Sequence, residues 1–192
     1  CSNKPLAPMA PDIQAARAFC EISSEEEKAL LERQRPIVLL EKKKGQQSID
    51  GDVAPGNRRL GVMLPYTPLH RLLFHPHGTF NALVMTSGNL SDEPIVVDNG
   101  EAIKKLSPIA GFFLLHDRGI YMRVDDSIVR MDGKAKRLVR RARGFVPDVI
   151  PLDEEMEEVF AAGALLKNTF CITKGMNAIV SQHIGDLENF EA

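Results

Sequence analysis

The chain has few cysteines, and they lie far apart. Cys1, Cys20 and Cys171 are the three cysteines in 192 residues, and this spacing matches neither a disulfide framework nor a zinc motif. Such usage predicts a reducing, cytoplasmic location. No apolar run approaches the roughly 20 residues that span a bilayer, and the first residues lack the apolar core of a signal peptide. Because the chain opens on Cys rather than Met, we expect a piece of a longer protein.

The sequence also lacks a large net charge and the common catalytic motifs. A formal net charge of -2 argues against bulk attraction to nucleic acid or anionic membranes, so a polyanion site must be local. We find no G-x-S-x-G elbow, no Walker A loop and no H-E-x-x-H, which excludes the usual hydrolase, P-loop and zinc-protease signatures. The composition, 44% hydrophobic and 26% charged, is that of a globular protein.

Strand and helix signals alternate in the first half of the chain. Helices are predicted to begin at Asp12, at Ser24 with Glu27 in a capping box, at Thr67 followed by Pro68, and at Asp98 with Glu101. The predicted strands are RPIVLLEKK, LGVML, NALVMTS, GFFLLHD, DSIVRM and KRLVRRAR. This order predicts a mixed α/β sheet with flanking helices.

A domain boundary is predicted near residues 147–154, where PDVIPLDEE combines two prolines with acids. Beyond it, the sequence predicts three short strands with a hairpin turn at Lys174-Gly175.

Small polar residues follow the strand that precedes residue 86. Ligands in open α/β sheets lie outside the carboxyl ends of strands, where Thr86, Ser87 and Asn89 are expected. Hydroxyls and an amide can bond phosphate oxygens, and Gly88 permits close backbone approach. An ordinary turn is the alternative, which the pattern alone favours.

A second polar group occurs in YMRVDDSIVR, where five polar residues crowd one strand: Arg123, Asp125, Asp126, Ser127 and Arg130. An arginine fork binds phosphate or carboxylate, and Asp125 or Asp126 is a candidate magnesium ligand. The alternative is a solvated face of Arg–Asp pairs.

Six basic residues lie between Lys134 and Arg143. Strand alternation would place Arg137, Arg141 and Arg143 on one face and Lys136 and Arg140 on the other. One row can line an anion cleft, whereas a nonspecific patch, an exposed edge or nucleic-acid binding are alternatives. Phe145 is the only nearby aromatic residue that can stack on bases.

The histidines are less informative. His75 and His77 are either ligands of a small metal site or solvated residues of a loop. His70 is expected to be packed on its helix or to be a polar residue at the edge of that helix.

Several segments resemble a known family in order and spacing. They are KPLAPM, APGNRRLGVMLPYTPLH, LVMTSGNLSDEPI, HDRGIYMRVDDSIVR, RRARGFVP, GALLKNTFCITKG and SQHIGDL, and together they resemble the hydrogenase maturation carbamoyltransferases of the HypF family. The resemblance implies a YrdC-like domain over residues 1–152, without its N-terminal part. Residues 153–192 would be the first β-strands of an actin-like ATPase-type domain related to threonylcarbamoyl transferases.

The resemblance also implies an activity. Family members use carbamoyl phosphate and ATP with magnesium to form carbamoyl-adenylate, and transfer the carbamoyl group to the C-terminal cysteine of HypE for cyanide ligand synthesis in [NiFe]-hydrogenase. Zinc is expected only in parts of the parent protein outside this chain. The parent is expected to be a cytoplasmic enzyme without a protein nucleophile in the adenylate site, and the activity of the chain alone is left open.

By the same resemblance, a set of residues surrounds the adenylate: Lys4, Thr86, Ser87, Asn89, Arg123, Ser127, Arg130, Arg141 and Arg143. Lys167, His183 and Asp186 would border a second nucleotide site. The alternatives are a YrdC-like threonylcarbamoyl-adenylate synthase, an RNA-binding module, and a truncated piece that merely folds. SQHIGDL and SDEPI argue against the synthase.

Overall fold

The structure, a computed structural model, describes residues 5–45, 49–75, 80–90, 93–164 and 168–184. The chain forms two compact units, each built from two segments. The first unit comprises Cys1–Thr86 and Asp126–Phe145, and the second comprises Ser87–Asp125 and Val146–Ala192. These spatial units do not correspond to a single cut in the chain, and the family-domain boundary at residues 152 and 153 stays a prediction.

The first unit is a mixed α/β structure. Its elements are β1 (Ala7–Met9), α1 (Ile13–Phe19), β2 (Cys20–Glu21), α2 (Ser24–Leu31), β3 (Ile37–Lys42), a 3₁₀ turn (Gly51–Val53), β4 (Arg59–Val62), α3 (Pro68–Leu73), β5 (Leu83–Met85), β6 (Ile128–Asp132) and β7 (Ala135–Arg140). Strand β3 pairs antiparallel with β2 and β4 and parallel with β6, which pairs antiparallel with β7. Strands β1 and β5 form a separate antiparallel pair. The predicted mixed sheet is confirmed.

Side-chain caps start the helices of this unit. Asp12 Oδ1 accepts the Ala15 amide at 2.8 Å, and Thr67 Oγ1 accepts the His70 amide at 3.1 Å. Both predicted starts are therefore confirmed, including Pro68 in the first turn of α3.

The capping box of α2 lies one residue earlier than predicted. Ser23, not Ser24, is the N-cap, and it exchanges hydrogen bonds with Glu26. Glu27 instead bonds Arg17 at 2.5 Å. Ser23 with Glu26 and Ser24 with Glu27 both have the spacing of a capping box. In the structure the first pair forms the box, and Glu27 is instead paired with Arg17 of α1.

The core of the first unit lies against β3 and its neighbours. Leu30, Val38, Leu40 and Val62 are fully buried in one cluster, and each such side chain contributes roughly 2 kcal/mol through burial. Cys20 belongs to the same cluster, and burial raises the pKa of its thiol to about 12. Its thiol is therefore a packing group rather than a nucleophile.

The second unit contains α4 (Asn99–Leu106), β8 (Ile150–Met156), β9 (Phe160–Ala162) and β10 (Phe170–Val180). The strands form an antiparallel sheet in the order β8-β10-β9. Asp98 caps α4 by accepting the Glu101 amide at 2.8 Å, as predicted.

Two strand predictions in this unit are wrong. Residues 111–117 (GFFLLHD) form no strand, and Phe112 is 98% exposed. No hairpin turn occurs at Lys174-Gly175, because β10 runs through both residues. Gly175 has φ 56°, and the register with β8 shifts between it and Asn177, so the glycine marks a bulge instead of a turn.

No helix among the described residues is long and apolar enough to cross a membrane.

The turn after β7 packs closely against the loop between α2 and β3. Gly144 has φ 87°, and a Cβ built there would lie 2.5 Å from the Gln34 carbonyl oxygen and 2.8 Å from its Cα. Gly133, in the turn between β6 and β7, has φ 60° but open space around it. Both glycines have a positive φ, but only Gly144 is closely packed. Comparing alanine substitutions at the two positions therefore distinguishes the cost of the backbone conformation from the cost of the clash.

We predict that Gly144→Ala lowers the free energy of unfolding by about 3 kcal/mol, because a left-handed alanine also clashes with backbone. Gly133→Ala should cost only about 1 kcal/mol, since only the conformation is unfavourable. Urea unfolding followed by far-ultraviolet circular dichroism measures both. Equal losses in the two variants would contradict the close packing of Gly144 on Gln34.

Candidate functional site

The loop after β5 presents small polar groups. Thr86, Ser87 and Gly88 are exposed, while Asn89 is half-buried. The Asn89 amide donates to the Ser87 carbonyl at 3.1 Å, which closes a tight turn. Among the described residues, no side chain or backbone group bonds the Ser87 hydroxyl, so that hydroxyl is available to a ligand.

The Asn89 side chain forms hydrogen bonds within its own loop. Its Nδ2 donates to the carbonyls of Leu90 at 2.9 Å and Glu93 at 2.8 Å. These bonds assign the amide orientation and use both of its donors. Its Oδ1 is buried and has no partner within the described part of the chain. The geometry therefore makes Asn89 a residue that shapes the loop.

Two further contacts brace this loop. The Val96 amide donates to the Gly88 carbonyl at 2.9 Å, and Arg123 Nε donates to the Ile95 carbonyl at 2.7 Å. Arg123 is exposed, so part of its guanidinium faces solvent while Nε supports the loop. Arg123 is thus joined to the Ser87–Asn89 segment through the backbone of residues 95 and 96.

A clasp in the first unit joins the start of β6 to the turn after β7. Ser127 is fully buried; its Oγ donates to the Arg143 carbonyl at 2.9 Å and accepts the Ala142 amide at 2.8 Å. Its own carbonyl accepts the Ile37 amide at 2.8 Å. The Ser127 hydroxyl is satisfied internally, as buried hydroxyls generally are.

The Arg143 side chain extends the same clasp. Nε lies 2.7 Å from Asp126 Oδ1, while Nη1 and Nη2 donate to the carbonyls of Gln34 at 3.2 Å and Arg35 at 2.9 Å. The guanidinium also stacks 3.4 Å from the centre of the Tyr66 ring, a favourable cation–π geometry. These contacts hold Arg143 as a tether within the first unit, and its predicted contact with phosphate stays a prediction.

Tyr66 and His70 complete this group, and the sequence reasoning did not select them as ligands. Their rings meet edge to face with centroids 4.4 Å apart, which confirms His70 as a packed residue. Burial and then the Asp126 charge raise the pKa of Tyr66. Burial lowers the pKa of His70. The signal in the sequence was LPYTPLH, where a strand end, a capped helix and two polar aromatic residues adjoin.

The other predicted cations have protein partners nearby. Arg130 and Arg137 both bond Asp132, at 2.8 and 2.6 Å, and hydrogen bonding from Arg130 holds the Asp132 pKa below its usual value. Arg141 Nη2 donates to the Phe145 carbonyl at 2.8 Å. Strand β7 ends at Arg140, so the predicted alternation does not extend to Arg141 and Arg143.

The second unit brings Asp125 and His183 together. Asp125 Oδ2 lies 2.7 Å from His183 Nδ1, and the histidine side chain is 12% exposed. His183 is held on both sides, because Ser181 and Ile184 form backbone hydrogen bonds to Phe170 and Asn168. A predicted second-site residue thus contacts a predicted magnesium ligand.

Metal-binding groups do not converge in the described ranges. No group of three or more His, Cys, Asp or Glu residues lies close enough to hold a metal there. Asp125 contacts His183 and Asp126 contacts Arg143. Lys4, His77, Lys167 and Asp186 lie outside the described residues.

Two family models match the chain. The model described as telomere recombination, which groups Sua5, YciO and YrdC, matches residues 1–142. The model of the HypF Kae1-like domain matches residues 154–192.

Relatives match nearly the whole chain. Carbamoyltransferase HypF of Rhizobium leguminosarum bv. viciae is 45% identical over 99% of this chain and 25% of the relative. Carbamoyltransferase HypF2 of Cupriavidus necator is 46% identical over 97% of this chain and 25% of the relative. The chain therefore spans about a quarter of the length of these curated relatives.

Solved structures agree with the sequence relatives. Full-length HypF in its phosphate- and nucleotide-bound form is 46% identical, with a TM-score of 0.87 over 97% of this chain and 29% of that one. T. kodakarensis HypF is 41% identical, with a TM-score of 0.89 over 98% and 24%. P. abyssi Sua5 complexed with L-threonine, at 14% identity and a TM-score of 0.59 over 74% and 41%, shares the fold alone.

A YrdC-like family match covers residues 1–142, a HypF-specific match covers residues 154–192, and a carbamoyltransferase HypF is 45% identical over 99% of the chain, so the chain belongs to the HypF family.

Proposed function

We propose that this chain is part of an ATP-dependent carbamoyltransferase. The whole protein uses carbamoyl phosphate and ATP to form carbamoyl-adenylate, and then transfers the carbamoyl group to the C-terminal cysteine of HypE. The thiocarboxamide made there leads to the cyanide ligands of [NiFe]-hydrogenase. The observation that carries the proposal is the 45% identity over 99% of this chain to a protein named carbamoyltransferase.

The loop after β5 supports a nucleotide site. Its accessible Ser87 hydroxyl and backbone amides are groups that bond phosphoryl oxygens. Asn89 keeps the loop in shape through Leu90 and Glu93, so ligand contacts there require little reorganisation. A related protein is described as phosphate- and nucleotide-bound, which agrees with this assignment.

The adenylation step requires no protein nucleophile. Water first cleaves carbamoyl phosphate into carbamate and inorganic phosphate. A carbamate oxygen then attacks the α-phosphorus of ATP, a new P–O bond forms, and the bond to pyrophosphate breaks with its electron pair leaving on pyrophosphate. Charge then develops on phosphoryl oxygens, which hydroxyl, amide and guanidinium donors stabilise. In our proposal Ser87 and the exposed part of Arg123 supply such donors, with Lys4, Thr86, Arg130 and Arg141 as further contacts and Ser127 and Arg143 as supports.

Magnesium enters this proposal with ATP as part of the substrate. The described carboxylates do not fit a preformed protein site, because Asp125 and Asp126 contact separate partners. No step is therefore assigned to a protein-bound magnesium ion, and any zinc is proposed to belong to parts of the parent protein outside this chain. Lys167, His183 and Asp186 are proposed to border the second nucleotide site.

Nucleic-acid binding through β7 is a competing function from a different class. Lys136 bonds Glu32 at 2.7 Å and Arg137 bonds Asp132 at 2.6 Å, so carboxylates partly neutralise this strand. Phe145 has Lys136 near its ring at 5.4 Å and is half-buried. These contacts favour the nucleotide proposal over an RNA-binding surface.

We predict that Ser87→Ala weakens MgATP binding by about tenfold, because it removes one hydrogen bond to a charged ligand. It should leave the urea midpoint unchanged, since no described group depends on that hydroxyl. Calorimetric titration of the chain measures the affinity.

Ser107→Ala, at an exposed helix end of the same unit, is the matched control and should bind like the unchanged chain. Asn89→Ala should lose both affinity and stability. Unaltered affinity in Ser87→Ala would contradict the assignment of this loop to the nucleotide.

We also predict that the chain prefers MgATP to a single-stranded RNA oligonucleotide at moderate salt. RNA affinity should fall steeply with salt because phosphate contacts release counterions. Fluorescence anisotropy with labelled RNA, competed by MgATP, measures both. Tight RNA binding weakened by Lys136→Gln and Arg137→Gln would instead favour the RNA-binding function.

A further inference from the structure

A pocket of about 340 Å³ lies within the first unit. The beginning of α1, the end of α2 and the strand-to-helix turn before α3 surround it. Its walls include Asp12, Gln14, Arg35, Leu64, Pro65 and Arg71. Leu64 is buried, so the lining combines an apolar residue with two arginines.

Arg35 occupies an unfavourable backbone conformation at this wall. Its φ is 46°, and no other non-glycine residue in the described ranges has a positive φ. Such a conformation is unfavourable for a residue with a side chain and persists where its surroundings hold it. Here the Arg35 amide donates to the Glu32 carbonyl at 3.0 Å, and its carbonyl accepts Arg143 Nη2 at 2.9 Å. The clasp around Arg143 thereby keeps Arg35 beside the pocket.

Arg71 supplies the second cation. It lies in the last turn of α3 and is exposed. Its side chain has no hydrogen-bond or ion-pair partner within the described part of the chain, whereas Arg35 Nη1 donates to the Leu30 carbonyl at 3.3 Å. Asp12 is the acidic residue in the wall, and its Oδ1 already accepts the Ala15 amide. The charged residues of the lining are therefore two arginines and one aspartate, which gives the pocket a net positive charge.

We propose that this pocket binds a small phosphoryl anion between Arg35 and Arg71. Guanidinium groups bond phosphate oxygens through paired, charge-assisted hydrogen bonds. The volume is near the lower end of the roughly 300–1,000 Å³ of small-molecule pockets, which suits phosphate or a small acyl phosphate better than a whole nucleotide. The site involves none of the residues assigned to the adenylate, and phosphate binding here does not depend on the proposed transferase activity.

The test is a titration of the chain with inorganic phosphate at constant ionic strength, followed by amide shifts of Gln14 and Leu64 in ¹H–¹⁵N spectra. Saturable shifts at these lining residues are expected. Arg71→Gln should weaken the binding by about tenfold, because one charged hydrogen-bonding group is lost. Arg58→Gln, which removes an exposed arginine of the same unit away from the pocket, should leave it unchanged.

Adenosine monophosphate and adenosine, titrated separately, identify the source of the phosphoryl group. Tighter binding of the monophosphate than of phosphate would assign the site to a nucleotide phosphate, provided that it still depends on Arg71. Arg35→Gln is a second variant, checked for folding by its spectrum. Absence of saturable shifts, or equal effects of Arg71→Gln and Arg58→Gln, would overturn the proposal.

Discussion

The buried hydroxyl of Ser127 is the contact on which the first unit depends most directly. It bonds the backbone of residues 142 and 143, while the Ser127 carbonyl bonds Ile37 in the central strand. Through its hydroxyl and its carbonyl, one residue therefore joins β3, the start of β6 and the turn after β7. Replacing such a satisfied buried group would leave backbone partners without hydrogen bonds, which costs more than the bond itself contributes.

Arg143 extends that arrangement through charge and shape. Its guanidinium contacts Asp126, two carbonyls in the loop between α2 and β3, and the Tyr66 ring. A planar, permanently charged fork can satisfy these partners together, and lysine could not. The same contacts hold Arg35 in its left-handed conformation, so a residue that resembles a phosphate ligand in sequence has an organising role in the fold. Arg143 can also contact a ligand only through guanidinium N–H groups that these hydrogen bonds do not use.

In the loop after β5, some polar side chains hold the backbone in place while another is exposed to solvent. Asn89 uses its amide donors on the loop itself, and Arg123 braces residue Ile95. Ser87 remains accessible because neither contact involves its hydroxyl. A loop held by internal hydrogen bonds can present a few groups to a ligand without first becoming ordered, which favours binding.

Local patterns determined the α/β class, the helix starts at Asp12, Thr67 and Asp98, and most strands, because caps and apolar runs act over a few residues. The specific motifs also determined the family. Tertiary structure decided what short-range patterns leave equivalent: whether Ser23 or Ser24 caps α2, and whether Gly175 forms a turn or a bulge. It also decided the partners of Asp125, Asp126 and Arg143, since long-range contacts bring together side chains that sequence spacing does not relate.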